Sequence, residues 1–292
     1  MKEMKNKKIL LYNCICVCLV FIMFFTCVYQ VKNKQLKKVN NERNAFIHFS
    51  IDDCIDLFYD LNNSNYESVF ENDLLKYLKK LNSEFGCKFS LFVFGRNEKF
   101  DLKDCTDRYR DEFVKNSEWL KFGFHAISGN SNYDEQNNIV NDYNYVIDNL
   151  NRIVGSKSIT KTIRIEKFLL NEENAKKLCD NNITINLLGA DSENRKDYFL
   201  SEEQNKKLFQ QEYLYDDNTG ITFYNTDIRI ENIKLFKIDK ILDESNDKNL
   251  IIFTHEWMFY GRKNRIFTKL KIEQICKYAK KRGYKFDYPY IN

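Results

Sequence analysis

The 292-residue chain carries 46 Lys and Arg against 42 Asp and Glu, a net charge of +4, and is 43% hydrophobic and 15% aromatic. Its first 43 residues hold eight Lys and Arg43 against Glu3 and Glu42, so the basic excess belongs to the N-terminus and the rest is slightly acidic. This composition supports a sizeable core, excludes disorder, collagen and coiled coil as the main architecture, and offers no basic surface for nucleic acid.

Residues 1–8 form a short basic tail with Lys2, Lys5, Lys7 and Lys8, followed by 23 uncharged residues, Ile9 to Val31. A helix of that length spans a hydrocarbon core of about 30 Å. The run therefore predicts a transmembrane signal anchor, with the alternative of a cleaved secretory signal. Lys32, Lys34, Lys37 and Lys38 balance the charges before it, so orientation rests on the habit of short basic tails to stay inside. The expected location is a single pass in the cell membrane with the globular part extracellular. Residues 32–44 read as a polar linker and 45–292 as the globular domain. Four cysteines fall in the apolar run; Cys54, Cys87, Cys105, Cys179 and Cys276 lie beyond it without C-x-x-C spacing and read as buried free thiols.

Short apolar runs then recur, at Ala45–Ile51, Lys88–Phe94, Leu120–His125, Thr162–Phe168, Ile183–Leu188, Ile221–Tyr224, Leu250–Thr254 and Tyr284–Phe286. Between them Glu71–Phe85, Asp134–Val154, Asn171–Asn181 and Thr268–Arg282 show helical spacing. Strands alternating with helices predict an α/β fold, a distorted (β/α) barrel of about seven or eight parallel strands, with an open doubly wound sheet as the alternative. No Gly-rich phosphate loop follows any strand, which argues against a nucleotide.

Polar residues gather at the predicted strand ends, where barrel enzymes build their sites. The first strand ends in Ser50-Ile51-Asp52-Asp53, the third in His125, and the fourth carries Arg164-Ile165-Glu166. The fifth ends near Asp191, the sixth leads through Asp227 and Arg229 to Glu231, and the seventh ends in His255-Glu256-Trp257. Singly, each has an ordinary explanation: helix caps for Asp52-Asp53 and Glu256, an interior histidine for His125, a surface pair for Asp227 and Arg229. His48, early in the first strand, reads as structural.

The order of these motifs, across residues 45 to 290, resembles the polysaccharide deacetylase family, the NodB-homology domain of carbohydrate esterase family 4. In that family a T-F-D-D-G motif supplies a general base and then a metal ligand, and Ser50-Ile51-Asp52-Asp53-Cys54 resembles it. The resemblance implies Asp52 as base and Asp53 as ligand. The family's H-[S/T]-x-x-H motif resembles His125 to Gly129, where only the first histidine is present. Arg164 matches the arginine that orients the base, and His255 the histidine that acts as general acid. With Gly129 in place of a second histidine, a third ligand must come from elsewhere. Glu166 is preferred because it alternates with Arg164; Asp134, Asp191 and Glu256 are alternatives. A catalytic divalent ion, zinc or similar, needs about three such ligands and an open position.

The resemblance implies removal of N- or O-acetyl groups from a cell-surface or cell-wall polysaccharide. Trp257, Asp191 and Asp227 are the expected substrate contacts, and Tyr133, Tyr198 and Phe259 are further aromatics for sugar stacking or plain packing. Two alternatives remain: a catalytically inactive barrel that binds glycan or a protein partner, and a glycosidase using Asp52 and Glu166 as paired carboxylates.

Overall fold

The computed structural model describes residues 45–245 and 248–289. The expected membrane run and the linker lie outside them, and among the described residues no helix is long and apolar enough to cross a membrane.

β1 (Phe46–Cys54) is the centre of the main sheet, flanked by β2 (Phe89–Phe94) and, late in the chain, β8 (Leu250–His255), all parallel. β3 (Leu120–Ala126) extends it beyond β2, the two-residue β7 (Ile228–Arg229) beyond β8, and β9 (Lys285–Phe286) pairs with the start of β1. A second sheet joins β4 (Asn186–Leu188) in parallel to β6 (Ile221–Tyr224), with β5 (Tyr213–Asp216) antiparallel at its edge. The runs expected at Ile221–Tyr224 and Leu120–His125 are strands within a residue, short, largely apolar stretches that a parallel sheet covers on both faces.

The fourth expected strand, Thr162–Phe168, is not a strand. This segment joins the two sheets by single parallel bridges, Phe122 with Ile159 and Ile163 with Leu187. Lys167 and Phe168 take φ of 54° and 57° and curl the chain into a tight turn over Glu166–Phe168, which no ladder can follow. The β-strand path thus runs β7, β8, β1, β2, β3, this segment, β4 and β6. It returns to its start covalently through residues 225–227, where Asp227 N–H donates to Ile251 O. The result is a barrel with one irregular stave, which is the distortion the sequence implied without locating.

Side-chain alternation divides two cores. Phe92, Leu188, Tyr224 and Ile251, one each from β2, β4, β6 and β8, cluster inside the ring, as barrel layers from alternate strands do. The larger core lies between the strands and the helices α1 (Asp56–Asn63), α2 (Asp73–Phe85), α3 (Arg110–Lys115), α4 (Ile139–Val154), α5 (Glu172–Asp180), α6 (Glu202–Gln211), α7 (Ile238–Glu244) and α8 (Arg262–Arg282). In α2 the periodic Leu74, Leu75, Tyr77, Leu78 and Leu81 are all buried. Its start is capped by Asn72, which accepts from the N–H of Leu74 and Leu75, and its end by Gly86 in the left-handed conformation that glycine adopts without strain. The short helices α1, α3, α6 and α7 were not expected.

Candidate active and metal site

The C-terminal end of β1 places two carboxylates in one cavity. A regular strand would send Asp52 and Asp53 to opposite faces, but the pairing with β2 slips between Ile51 and Cys54, and Asp53 takes φ of 62°. This bulge turns Asp53 onto the face that Asp52 already occupies. Both line a cavity of about 130 Å³ together with His125, Arg164, Glu166 and His255.

Arg164 is the organising cation, and it is fully buried. Its Nη1 donates to both oxygens of Asp52 at 3.1 Å and to Ser50 Oγ at 2.9 Å, while Nη2 donates to Thr226 Oγ1 at 2.8 Å. Thr226 in turn donates to Gly189 O at 2.7 Å, and the guanidinium lies 4.5 Å over the Phe253 ring. A flat, permanently charged fork suits this enclosure, where a lysine would satisfy fewer partners. Being on an irregular stave, Arg164 also presents its backbone carbonyl inward, and His125 Nδ1 donates to it at 2.6 Å. The bond fixes the tautomer and leaves His125 Nε2 facing Asp53 Oδ1 at 3.3 Å and Glu166 Oε2 at 3.1 Å.

These three donors, Asp53, His125 and Glu166, lie within 4.8 Å of one another. The 3.3 and 3.1 Å spacings from His125 Nε2 are close to the edge of a tetrahedron whose centre is about 2.1 Å from each donor. The electrostatics also favour a cation. Burial opposes a charged His125, yet the two carboxylates more than offset it and raise the imidazole to about 10. Burial likewise raises Asp53 and Glu166, and their hydrogen bonds to His125 reverse it, holding both below the usual carboxylate range. An oxygen-rich set with one imidazole fits zinc or a similar divalent ion. The turn over Glu166–Phe168 brings in Glu166, so the third donor comes from the irregular stave. Gly129 contributes only its carbonyl, which accepts from Lys167 Nζ at 2.6 Å.

Opposite the donors, His255 pairs in register with Asp52 on the neighbouring strand. Its Nδ1 lies 2.8 Å from Glu231 Oε1, which also accepts from Thr254 Oγ1 and the His255 N–H. Burial raises Glu231, but the His255 contacts outweigh it and keep the carboxyl below its ordinary range. In the sequence Glu231 had no assigned role and Arg229 read as a surface partner of Asp227; Arg229 Nε lies instead 3.4 Å from Glu231 Oε2. A rim histidine, whose tautomer needs a partner to set it, was the available signal, but several carboxylates were eligible partners. Arg195, which also lines the cavity, was missed.

Of the expected substrate contacts, Trp257 stands 45% exposed and stacks on His255, with centroids 5.4 Å apart and planes at 26°. Asp191 does not line the cavity and accepts from Arg195 Nη1 at 3.1 Å. Asp227 is away from the cavity, half-buried just before β7, where it accepts the Ile251 N–H of β8 at 2.8 Å. Tyr133 and Tyr198 are fully buried and Phe259 nearly so, which makes them core rather than platform. Among the alternative ligands, Glu256 accepts the N–H groups of Ile55, Asp56 and Leu57 at the start of α1, and Asp134 pairs with Lys196. His48 is buried with Nδ1 against Asp287 O at 3.1 Å, and burial lowers it to about 3, as its structural reading implied.

No family model matches the chain, and no curated protein does. Among solved structures it is similar to a carbohydrate esterase family 4 esterase from Streptococcus mutans, at 13% identity and a TM-score of 0.46 over 87% of this chain and 89% of that one. It is also similar to a peptidoglycan deacetylase from Bacillus subtilis, at 13% identity and a TM-score of 0.42 over 84% and 88% of the two chains.

Proposed function

We propose that the chain is a metal-dependent deacetylase that hydrolyses N- or O-acetyl groups on a cell-surface polysaccharide. We further propose that its apolar N-terminal run anchors it in the cell membrane with the domain outside. The observation that carries the activity is the meeting, in one small cavity, of the Asp53–His125–Glu166 donor set, the Asp52–Arg164 pair and the His255–Glu231 pair. A divalent ion held by the first set supplies a Lewis acid for an acetyl carbonyl and for the attacking water.

The protein's own groups account for the proton transfers. Asp52, held by two hydrogen bonds from Arg164 Nη1, is placed to accept a proton from water. His255, oriented through Nδ1 by Glu231, keeps Nε2 free to protonate the departing amine or alkoxide as the acyl bond breaks and acetate forms. Trp257 offers the exposed ring on which a sugar face can pack. Neither histidine has a part in a two-carboxylate glycosidase, and the donor set has none in an inactive barrel.

Elemental analysis of the purified full chain, with acetate release from acetylated glycans as the second readout, tests the reading. We expect about one zinc, cobalt, nickel or manganese ion per chain, lost in His125→Ala together with acetate release. Full metal retention by that variant would refute the site. Metal without acetate release from any acetylated sugar would refute the reaction while leaving the site.

A further inference from the structure

Cys87 and Cys276 stand 189 residues apart in sequence, yet their sulfurs lie 3.4 Å from each other in the core. Both residues are fully buried. Cys87 follows Gly86 at the end of α2, and its carbonyl is pinned by Asn82 Nδ2 at 2.9 Å. Cys276 sits in the middle of α8 among Ile272, Ile275 and Ala279. Two further contacts hold α2 and α8 in fixed register, Tyr77 Oη to Lys269 O at 3.0 Å and Lys80 Nζ to Glu273 at 3.1 Å. The other three cysteines of the described residues have their sulfurs near backbone carbonyls: Cys54 near Ile51, Cys105 near Phe58 and Cys179 near Gly220. Only one thiol pair is thus in contact among the described residues.

We propose that Cys87 and Cys276 are an oxidation site and close to a disulfide that staples α8 to the α2–β2 turn. A disulfide bond is about 2.05 Å long, so the sulfurs need approach by about 1.4 Å. The co-reactant is a small-molecule or protein disulfide. A thiolate of one cysteine attacks it, forms a mixed disulfide and expels one thiol. The second cysteine then attacks the protein sulfur of that mixed disulfide and expels the other thiol. Two protein thiols are oxidised and one external disulfide is reduced to two thiols. Because both sulfurs are enclosed in the finished fold, the exchange takes place during folding, before α8 packs against α2. The staple closes a loop containing most of the domain, the condition under which a cross-link restricts the unfolded chain most.

The full chain would be refolded from urea with reduced and oxidised glutathione, its free thiols alkylated in denaturant, and the protein digested without reduction for peptide mass analysis. The expected result is a peptide pair joined through Cys87 and Cys276, with two fewer alkylated thiols than in fully reduced protein. A thermal midpoint that reductant lowers in the wild type and leaves unmoved in Cys276→Ala would accompany it. Alkylation of both residues after refolding, or linkage of either to a different cysteine, would overturn the proposal. The map of the wild-type chain decides this even where the alanine variant fails to fold.

Discussion

Asp53 has a left-handed backbone, and its side chain is one of three close enough together to share a metal ion; the two properties have one cause, the bulge at the end of β1. A residue with a β-carbon held at positive φ is strained by about 1–2 kcal/mol, less for Asp and not at all for Gly. Asp53→Gly is therefore expected to abolish metal binding and to cost the metal-free domain only the stability that the Asp53–His125 pair contributes. Asp53→Ala is expected to abolish it with a further loss of roughly 1 kcal/mol. Equal stability of the two variants would mean that the bulge is not strained. At the neighbouring position Asp52→Asn keeps the shape and one hydrogen bond to Arg164 but removes the carboxylate proposed above as the proton acceptor. Acetate release should fall by about 10²–10⁴-fold, with metal content and circular dichroism unchanged. A variant with near-normal turnover would assign the base elsewhere.

At the scale of elements, the β1–α1 junction is held from across the sheet. Glu256 Oε1 and Oε2 take the N–H groups of Ile55, Asp56 and Leu57 at 2.6–2.9 Å, and Tyr260 donates its hydroxyl to the same carboxyl. Thus the first turn of α1 is capped by a residue some 200 positions later, although Glu256 begins a turn of its own and read locally as that turn's cap. Removing the acceptor in Glu256→Ala leaves buried donors unpaired, at about 1–3 kcal/mol for such a group. We expect at least about 2 kcal/mol lost in urea unfolding and reduced acetate release, because α1 starts three residues after Asp53. Unaltered unfolding would show that water replaces the cap. The irregular stave teaches the same lesson. Thr162-Ile163-Arg164-Ile165 alternates like a strand, and its inward Arg164 was legible from that alternation. The break at Lys167 and Phe168 was not, since neither is a residue that favours positive φ. Tertiary contacts impose it, including the hold of Lys167 on the Gly129 carbonyl.

Across the whole molecule, buried carboxyls outside the donor set make stability depend on pH. Burial raises Asp197, Asp227 and Glu256 to about 7 in each case. A raised acid contributes stability as its neutral form, fully present below its unfolded pKa near 4 and lost as pH rises through about 7. Asp53, Glu166 and Glu231 are lowered and run the opposite way, contributing above their unfolded values and losing it in acid, so the total curve mixes both. Comparison of wild type with Asp197→Asn isolates one group. The two should unfold alike in urea below about pH 4, with the variant increasingly the more stable as pH rises from about 4 to about 7 and by a constant margin above that. A difference independent of pH would place the carboxyl of Asp197 in contact with water.

Asp52, Asp53, His125, Arg164, Glu166 and His255 were all legible as candidates because each stands within a few residues of an apolar run. Periodicity alone places such residues at strand ends. The same local logic identified β6, the buried face of α2 and the structural His48. The tertiary structure alone decided that Glu231 orients His255, that Glu256 caps α1 rather than binding metal, that Asp227 is a strut between β7 and β8, and that Cys87 meets Cys276. Those pairings join residues 24 to 201 positions apart. Sequence spacing records which face of its own element a side chain occupies. Which distant carboxylate, amide or thiol it meets is set by how the staves close and how the helices settle on them.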